Sequence, residues 1–195
     1  MQPGEHVTKP DIIVPDASPL IHLALSGALH LLHEIGGTVI LVDVVADEVT
    51  RNPAMPGAFE VERWLAQGTR PGSNAPVHVM PTETGRAIAL ARVTDPSFAM
   101  RNGGETAIVE WLVETVQGTD AATIVLYENG RVPSVIAAQG IDSDIDVVTT
   151  RAFLDLAERR GLIASAAAMW GRIVAVAPTV NPKIAVFSQR RPPQS

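Results

Sequence analysis

The sequence predicts an α/β fold, a central, mostly parallel sheet flanked by helices, and three observations point there. Short runs of β-branched and aliphatic residues alternate with amphipathic stretches long enough to be helices. The chain has 195 residues, enough for one domain with a sizeable core. It is 46% hydrophobic and only 18% charged, which argues for a packed globule and against disorder.

The elements follow in order. Residues 12–14, Ile-Ile-Val, predict a short strand. Ser18 then offers an N-cap and Pro19 a first helical position, so a helix starts close to Asp16. A second helical piece over 29–35 is ended by Gly36-Gly37, and Thr38 opens a strand over 38–42. A short helix over 44–50 and the loop RNPAMPGA lead to a helix over 59–67. The loop GTRPGSNAP is a connection too short to link domains. A strand over 77–80 and a helix over 84–93 follow, and DPSFAMRNGG is a long turn before a helix over 105–116.

Residues 123–127 read as a buried strand. The next helix, 131–138, places Pro133 in its first turn, where a missing N–H costs nothing. A strand over 145–148 and a helix over 150–160 come next. The C-terminal stretch MWGRIVAVAPTVNPKIAVFSQRRPPQS shows strand-like alternation and ends in a basic, proline-rich tail. Residues 164–177 are the most apolar late stretch. They are interrupted by Trp170, Gly171 and Arg172 and fall short of the roughly 20 residues a bilayer requires, so they read as core or interface.

Composition narrows the function classes. The absence of cysteine excludes disulfides, thiolate metal sites and cysteine-based catalysis. The N-terminus MQPGEHVTKPD lacks the apolar segment of a secretory signal, and a cytoplasmic location is the expectation. A formal charge of −6 argues weakly against nucleic-acid binding, but 13 of the 15 basic residues are arginine and the two lysines, Lys9 and Lys183, lie near the termini. No lysine is available mid-chain for a phosphate loop or a Schiff base. An aspartyl-phosphate mechanism needs a second acid two residues after the nucleophile, and Ser18 occupies that position after Asp16.

Four acids stand apart from the other seventeen by position. In open α/β sheets ligands gather at the carboxyl ends of strands, where Asp16 falls. The same grammar recurs at IVLYENG, where one further residue separates the apolar run from Glu128. Asp16 alone reads equally well as a turn residue satisfying backbone donors; the recurrence favours a functional reading. Glu105 shares a helical face with Ile108, Val109, Leu112, Val113 and Val116, where an unpartnered acid is costly. Its alternative role is a first-turn acid favoured by the helix dipole. By contrast, Glu110 and Glu114 read as a solvated outer pair. Glu48, spaced i+4 from Val44 and i+3 from Val45, can point inward or lie on the surface. The histidines, His22 among them, read as packing or solvent residues.

Taken in order, IIVPDASPLIHLALSGALHLL, VILVDVVADEV, GGETAIVEWL, VLYENGRV and VVTTRAFLDLAERRGLI resemble the PIN-domain ribonucleases, of the type found as toxins in bacterial and archaeal toxin-antitoxin pairs. The resemblance implies a PIN-like three-layer α/β/α sandwich over residues 11–188, with a flexible N-terminus over 1–10 and a flexible tail over 189–195; residues 51–100 match the family pattern least. It places the family's acids on Asp16, Glu48, Glu105 and Glu128. It also implies a metal-dependent endoribonuclease using Mg²⁺ or Mn²⁺, a small antitoxin partner and a homodimer. Hard oxygen ligands suit those cations, and such a cation offsets the mutual repulsion of clustered carboxylates. On this reading Asp16, Glu105 and Glu128 ligate the metal directly or through water, Glu48 positions water or completes the shell, and Ser18 and Thr150 orient carboxylates. Arg131, Arg151 and Arg101 are the candidate RNA contacts. The chain departs from the family where Asp-Asp is common after the fourth strand, having Tyr127-Glu128 instead. That departure and the net negative charge motivate the alternative of a catalytically weakened PIN-fold module that binds protein or RNA.

Overall fold

The computed structural model describes residues 11–128, 132–141, 143–177, 180 and 182–189. The expected flexible N-terminus, most of the expected tail and Arg131 lie outside the described residues. Six strands form one sheet in the order β3-β2-β1-β4-β5-β6, with β1 Ile12–Pro15, β2 Thr38–Val42, β3 Val77–Met80, β4 Thr123–Leu126, β5 Ile145–Val148 and β6 Val186–Gln189. The first five are mutually parallel and β6 runs antiparallel to β5. Helices flank this sheet, and the architecture is the PIN-like α/β/α sandwich that the sequence predicts.

Strand chemistry explains the order. Residues Ile13, Val14, Val39, Leu41, Val125 and Leu126 are buried, the near-continuous apolar runs typical of parallel strands covered on both faces. From β1 the chain steps to β2 and β3 on one side, then crosses back to β4 and β5 on the other. The direction of winding therefore reverses between β1 and β4, and their carboxyl ends border the crevice where such sheets bind ligands.

The helices are α1 Ala17–Ser26, α2 Leu31–Ile35, α3 Asp43–Thr50, α4 Ala58–Gly68, α5 Glu83–Thr94, α6 Gly103–Trp111, α7 Val132–Gln139, α8 Thr150–Arg159 and α9 Ala166–Val176. Three of them differ from expectation in a way that matters for the crevice. Helix α1 begins two residues early: Asp16, not Ser18, is its N-cap, and the Asp16 carbonyl accepts from the Leu20 N–H at 3.1 Å. Pro19 still fits, because the first helical N–H groups have no partner to lose. Helix α6 also starts two residues early, so Gly103 and Gly104 lie inside it, and its last turn widens into a π-turn over Leu112–Val116. The ambiguous C-terminal stretch resolves into α9, packed on α1 and α8, and the antiparallel strand β6.

Residues 51–100 are integral to the fold. Helix α5 packs on α3 and α6 and is held at its N-terminus by two acids from elsewhere. The Asp43 carboxylate accepts from the Thr82 hydroxyl at 2.7 Å and the Thr82 N–H at 3.2 Å, while Thr82 caps Gly85 N–H at 2.9 Å. The Glu110 carboxylate accepts from the Thr84 N–H at 3.0 Å, the Thr84 hydroxyl at 2.7 Å and the Glu83 N–H. Glu110 is thus an anchor, not the solvated surface acid its spacing suggested; its partner comes from 26 residues away, beyond any helical periodicity.

Partial burial raises the Glu110 carboxyl, but the bonds from Thr84 and Glu83 outweigh it and hold the group below its ordinary value. A depressed carboxyl stabilises above the unfolded-state value and ceases to do so as pH falls through the folded-state value. Glu110→Gln is therefore expected to lower stability by about 1 kcal/mol at pH 7. The deficit should shrink as urea melts are repeated toward pH 3.

Candidate functional site

The crevice at the carboxyl edge is a cleft of about 300 Å³. Asp16, Glu48, Glu105 and Glu128 all line it, so the structure brings together the four acids that the sequence singled out. Each arrives from a different element: the end of β1, the outer turn of α3, the first turn of α6 and the segment beyond β4.

Asp16 has the central place. Its backbone is extended, φ −80° and ψ 169°, and its side chain caps no helical N–H beyond the neighbouring Ala17. The carboxylate is therefore not consumed as a turn device and faces the cleft. Burial pushes its carboxyl up from the ordinary 3.8 to about 7, and the charges of Glu48, Glu105 and Glu128 push the same way. Glu48 is also raised, first by burial and then by Asp47 and Glu105, against the lowering effect of Arg51.

Gly104 makes this proximity possible. A Cβ there would stand 3.1 Å from Asp16 Oδ1, 3.1 Å from Val45 Cγ2 and 3.5 Å from Glu48 Oε2. The N-terminus of α6 thus approaches two carboxylates as closely as a bare backbone allows. Asn102, its N-cap, adopts a left-handed conformation with φ 58° and lines the cleft, the one non-glycine residue with positive φ among the described residues.

The remaining acids are oriented from behind. The Thr150 N–H donates to Glu128 Oε1 at 3.1 Å, and His22 Nδ1 lies 3.5 Å from the same oxygen. The buried Tyr127 donates its hydroxyl to Glu105 Oε1 at 3.3 Å. The register corrects the sequence parallel between IVP and IVL. Pro15 pairs with Leu126, so Tyr127 stands abreast of Asp16 and Glu128 lies one residue further along. Tyr127 thus stands where the resemblance leads one to expect an aspartate, and its hydroxyl serves a neighbouring acid, Glu105.

Other expected residues fall differently. Ser18 is exposed at the cleft wall. Thr150 reaches Glu128 through its backbone, while its buried hydroxyl makes no hydrogen bond; the capping hydroxyl of α8 belongs to Thr149. Arg151 turns toward α9, pairing with Asp155 at 3.5 Å and lying 5.7 Å from the Trp170 ring centre, and it is not part of the cleft lining. Arg101 is exposed beside the lining residues Met100 and Asn102 without joining them. The cations at the cleft are Arg51 and Arg92, which sequence reasoning missed. Both bind the Asp47 carboxylate, Arg92 at 3.0 Å, and Arg92 also donates to the Phe98 carbonyl at 2.9 Å. Nothing local marks Arg92, whose acid partner lies 45 residues away.

Chemically, four carboxylates lining one cleft suit a hard divalent cation. Among the described residues no three acid or histidine side chains already stand at direct ligation spacing.

The raised Asp16 carboxyl gives a signed expectation for protein held in EDTA. The folded state binds the extra proton between 3.8 and about 7, so Asp16 erodes stability as pH rises through that window. Asp16→Asn should therefore melt higher than the parent at pH 8, by on the order of 2 kcal/mol, and the gap should close toward pH 4 in thermal scans.

No helix among the described residues is long and apolar enough to cross a membrane. No curated protein matches the chain. A family model, DUF3368, described as a PIN domain, matches residues 12–79, the segment from β1 through β3 that carries Asp16 and Glu48. Over those residues the chain is similar to PIN domains, and β4, β5 and the helices around them complete the PIN-like sandwich.

Proposed function

We infer that the chain is a divalent-metal-dependent endoribonuclease that hydrolyses RNA phosphodiester bonds. The observation that carries this reading is the convergence of Asp16, Glu48, Glu105 and Glu128 on one cleft at the sheet's switch point. PIN domains are as a class nucleases, and the match over residues 12–79 supports the same direction.

Asp16, Glu105 and Glu128 are the residues that would hold Mg²⁺ or Mn²⁺. When bound, such a cation supplies an activated water and stabilises charge on the phosphoryl oxygens. The chain's own groups do the rest. The Thr150 N–H and the nearby His22 keep Glu128 aimed at the cleft, the Tyr127 hydroxyl keeps Glu105 aimed there, and Glu48 would position water or complete the cation's shell. Arg51 and Arg92, fixed by Asp47, offset the acids and take the place of Arg151 as candidates for the RNA backbone.

The role as toxin of a toxin-antitoxin pair follows from the resemblance, together with a small antitoxin, a homodimer and a cytoplasmic setting. Exposed Leu90 and Val93 on α5 offer apolar surface for either protein partner. A short reading frame upstream with a DNA-binding pattern would support the pairing. A second reading, a weakened PIN-fold binding module, is favoured by Tyr127 standing abreast of Asp16.

The deciding experiment is cleavage of RNA by purified protein with Mg²⁺ or Mn²⁺. Activity is expected to vanish in EDTA and to fall about a hundredfold or more in Asp16→Ala, a loss of at least about 2.7 kcal/mol of transition-state stabilisation. Cleavage surviving both controls sinks the metal mechanism, and metal binding without cleavage favours the binding module.

A further inference from the structure

Beyond Glu128, away from Asp16, lies a second depression of about 340 Å³ that the chemistry above leaves unused. Buried Tyr127 and Val147, half-buried Phe187 and exposed Lys183 line it. Glu128 lines both hollows, so they meet at that side chain along the carboxyl edge of the sheet.

The depression is built by the strand that the parallel core does not need. Strand β6 returns antiparallel beside β5 and sets Phe187 opposite Val147. The segment leading into it is fastened to the start of α8 by three bonds. The Thr149 hydroxyl donates to the Lys183 carbonyl at 2.9 Å, Thr149 N–H donates to the Ala185 carbonyl at 3.1 Å, and Ala185 N–H donates to the Thr149 hydroxyl at 3.2 Å. Lys183, the one lysine among the described residues, is thereby anchored through its backbone beside the acidic cleft.

A cation next to a partly exposed aromatic ring is the pairing that single-stranded nucleic acid selects, phosphate on the charge and base on the ring. The volume lies within the range of small-ligand pockets, about 300–1,000 Å³. Strand β6 lies three strand spacings across the sheet from β1, roughly 14 Å, which a short single strand spans.

We propose that this depression is a nucleotide subsite, where Phe187 stacks a base of single-stranded RNA flanking the cleaved bond and Lys183 binds its phosphate. The position of the cleaved bond rests on the ribonuclease reading; occupation of the subsite is measurable without cleavage.

The test is binding of a fluorescein-labelled, unstructured decaribonucleotide, followed by anisotropy across NaCl concentrations with Ca²⁺ replacing Mg²⁺ to prevent turnover. Phe187→Ala is expected to weaken binding about tenfold and Phe187→Trp to restore it. Lys183→Ala should weaken it by about tenfold at low salt and reduce the slope of log K against log[salt] by about one, with Lys183→Arg restoring the slope. Wild-type affinity in both alanine variants overturns the subsite, as does failure of Phe187→Trp to rescue, which would mark Phe187 as merely structural. A parallel Mg²⁺ cleavage assay separates the two ideas. Cleavage with unchanged affinity in the variants sinks the subsite alone. Weakened binding in the variants of a protein that cleaves nothing supports the subsite and sinks the ribonuclease reading.

Discussion

Four carboxylates held at one crevice repel each other, and the rest of the structure is arranged around tolerating that repulsion. Asp16 bears most of it, being withdrawn from water and surrounded by three like charges. An acid whose carboxyl is raised to about 7 is a liability to a bare fold, and the cation that the proposed function calls for would relieve it. The gathering depends on Gly104, because any side chain at that position would press on Asp16 and Val45. The approach of α6 to β1 thus sets how close the acids come.

Support for the crevice is spread over elements distant in sequence. Tyr127 and Glu105 connect β4 to α6, Thr150 and His22 connect α8 and α1 to Glu128, and Asp47 connects α3 to α5 through Arg92. Helix α5 buries little of itself, chiefly Thr84 and Ile88, yet it walls the cleft with Ile88 and Arg92. Its position is secured by polar anchors, Asp43 and Glu110, in place of a deep apolar face. Gly85 reflects how tight that anchor is, since a Cβ there would collide with the Asp43 carboxylate.

The parallel strands were legible because burial on both faces demands runs such as IIV, VILV and TIVL, and such runs survive any choice of neighbours. Asp16, Glu105 and Glu128 were legible because an acid at the end of a buried strand or on an apolar helical face violates local pattern. Glu110 and Arg92 violate none, and their partners, the α5 terminus and Asp47, come into view only once α3, α5 and α6 are packed; Arg51 pairs with Asp47 one helical turn away, and packing decides only that it borders the cleft. Helix starts moved by two residues at Asp16 and Gly103 because caps respond to whatever the terminus faces. Here the termini face one another.

The order of short apolar strands, the helices between them and the acids at strand and helix ends were determined by the sequence alone, through periodicity and the cost of placing charge beside an apolar run. Tertiary structure decided the register that sets Tyr127 abreast of Asp16, the arginines that border the cleft, and the return of β6 that carries Lys183 and Phe187 to its flank. The physical reason is range: periodicity and capping act over a few residues, whereas these contacts join segments brought together only when the sheet closes over its core.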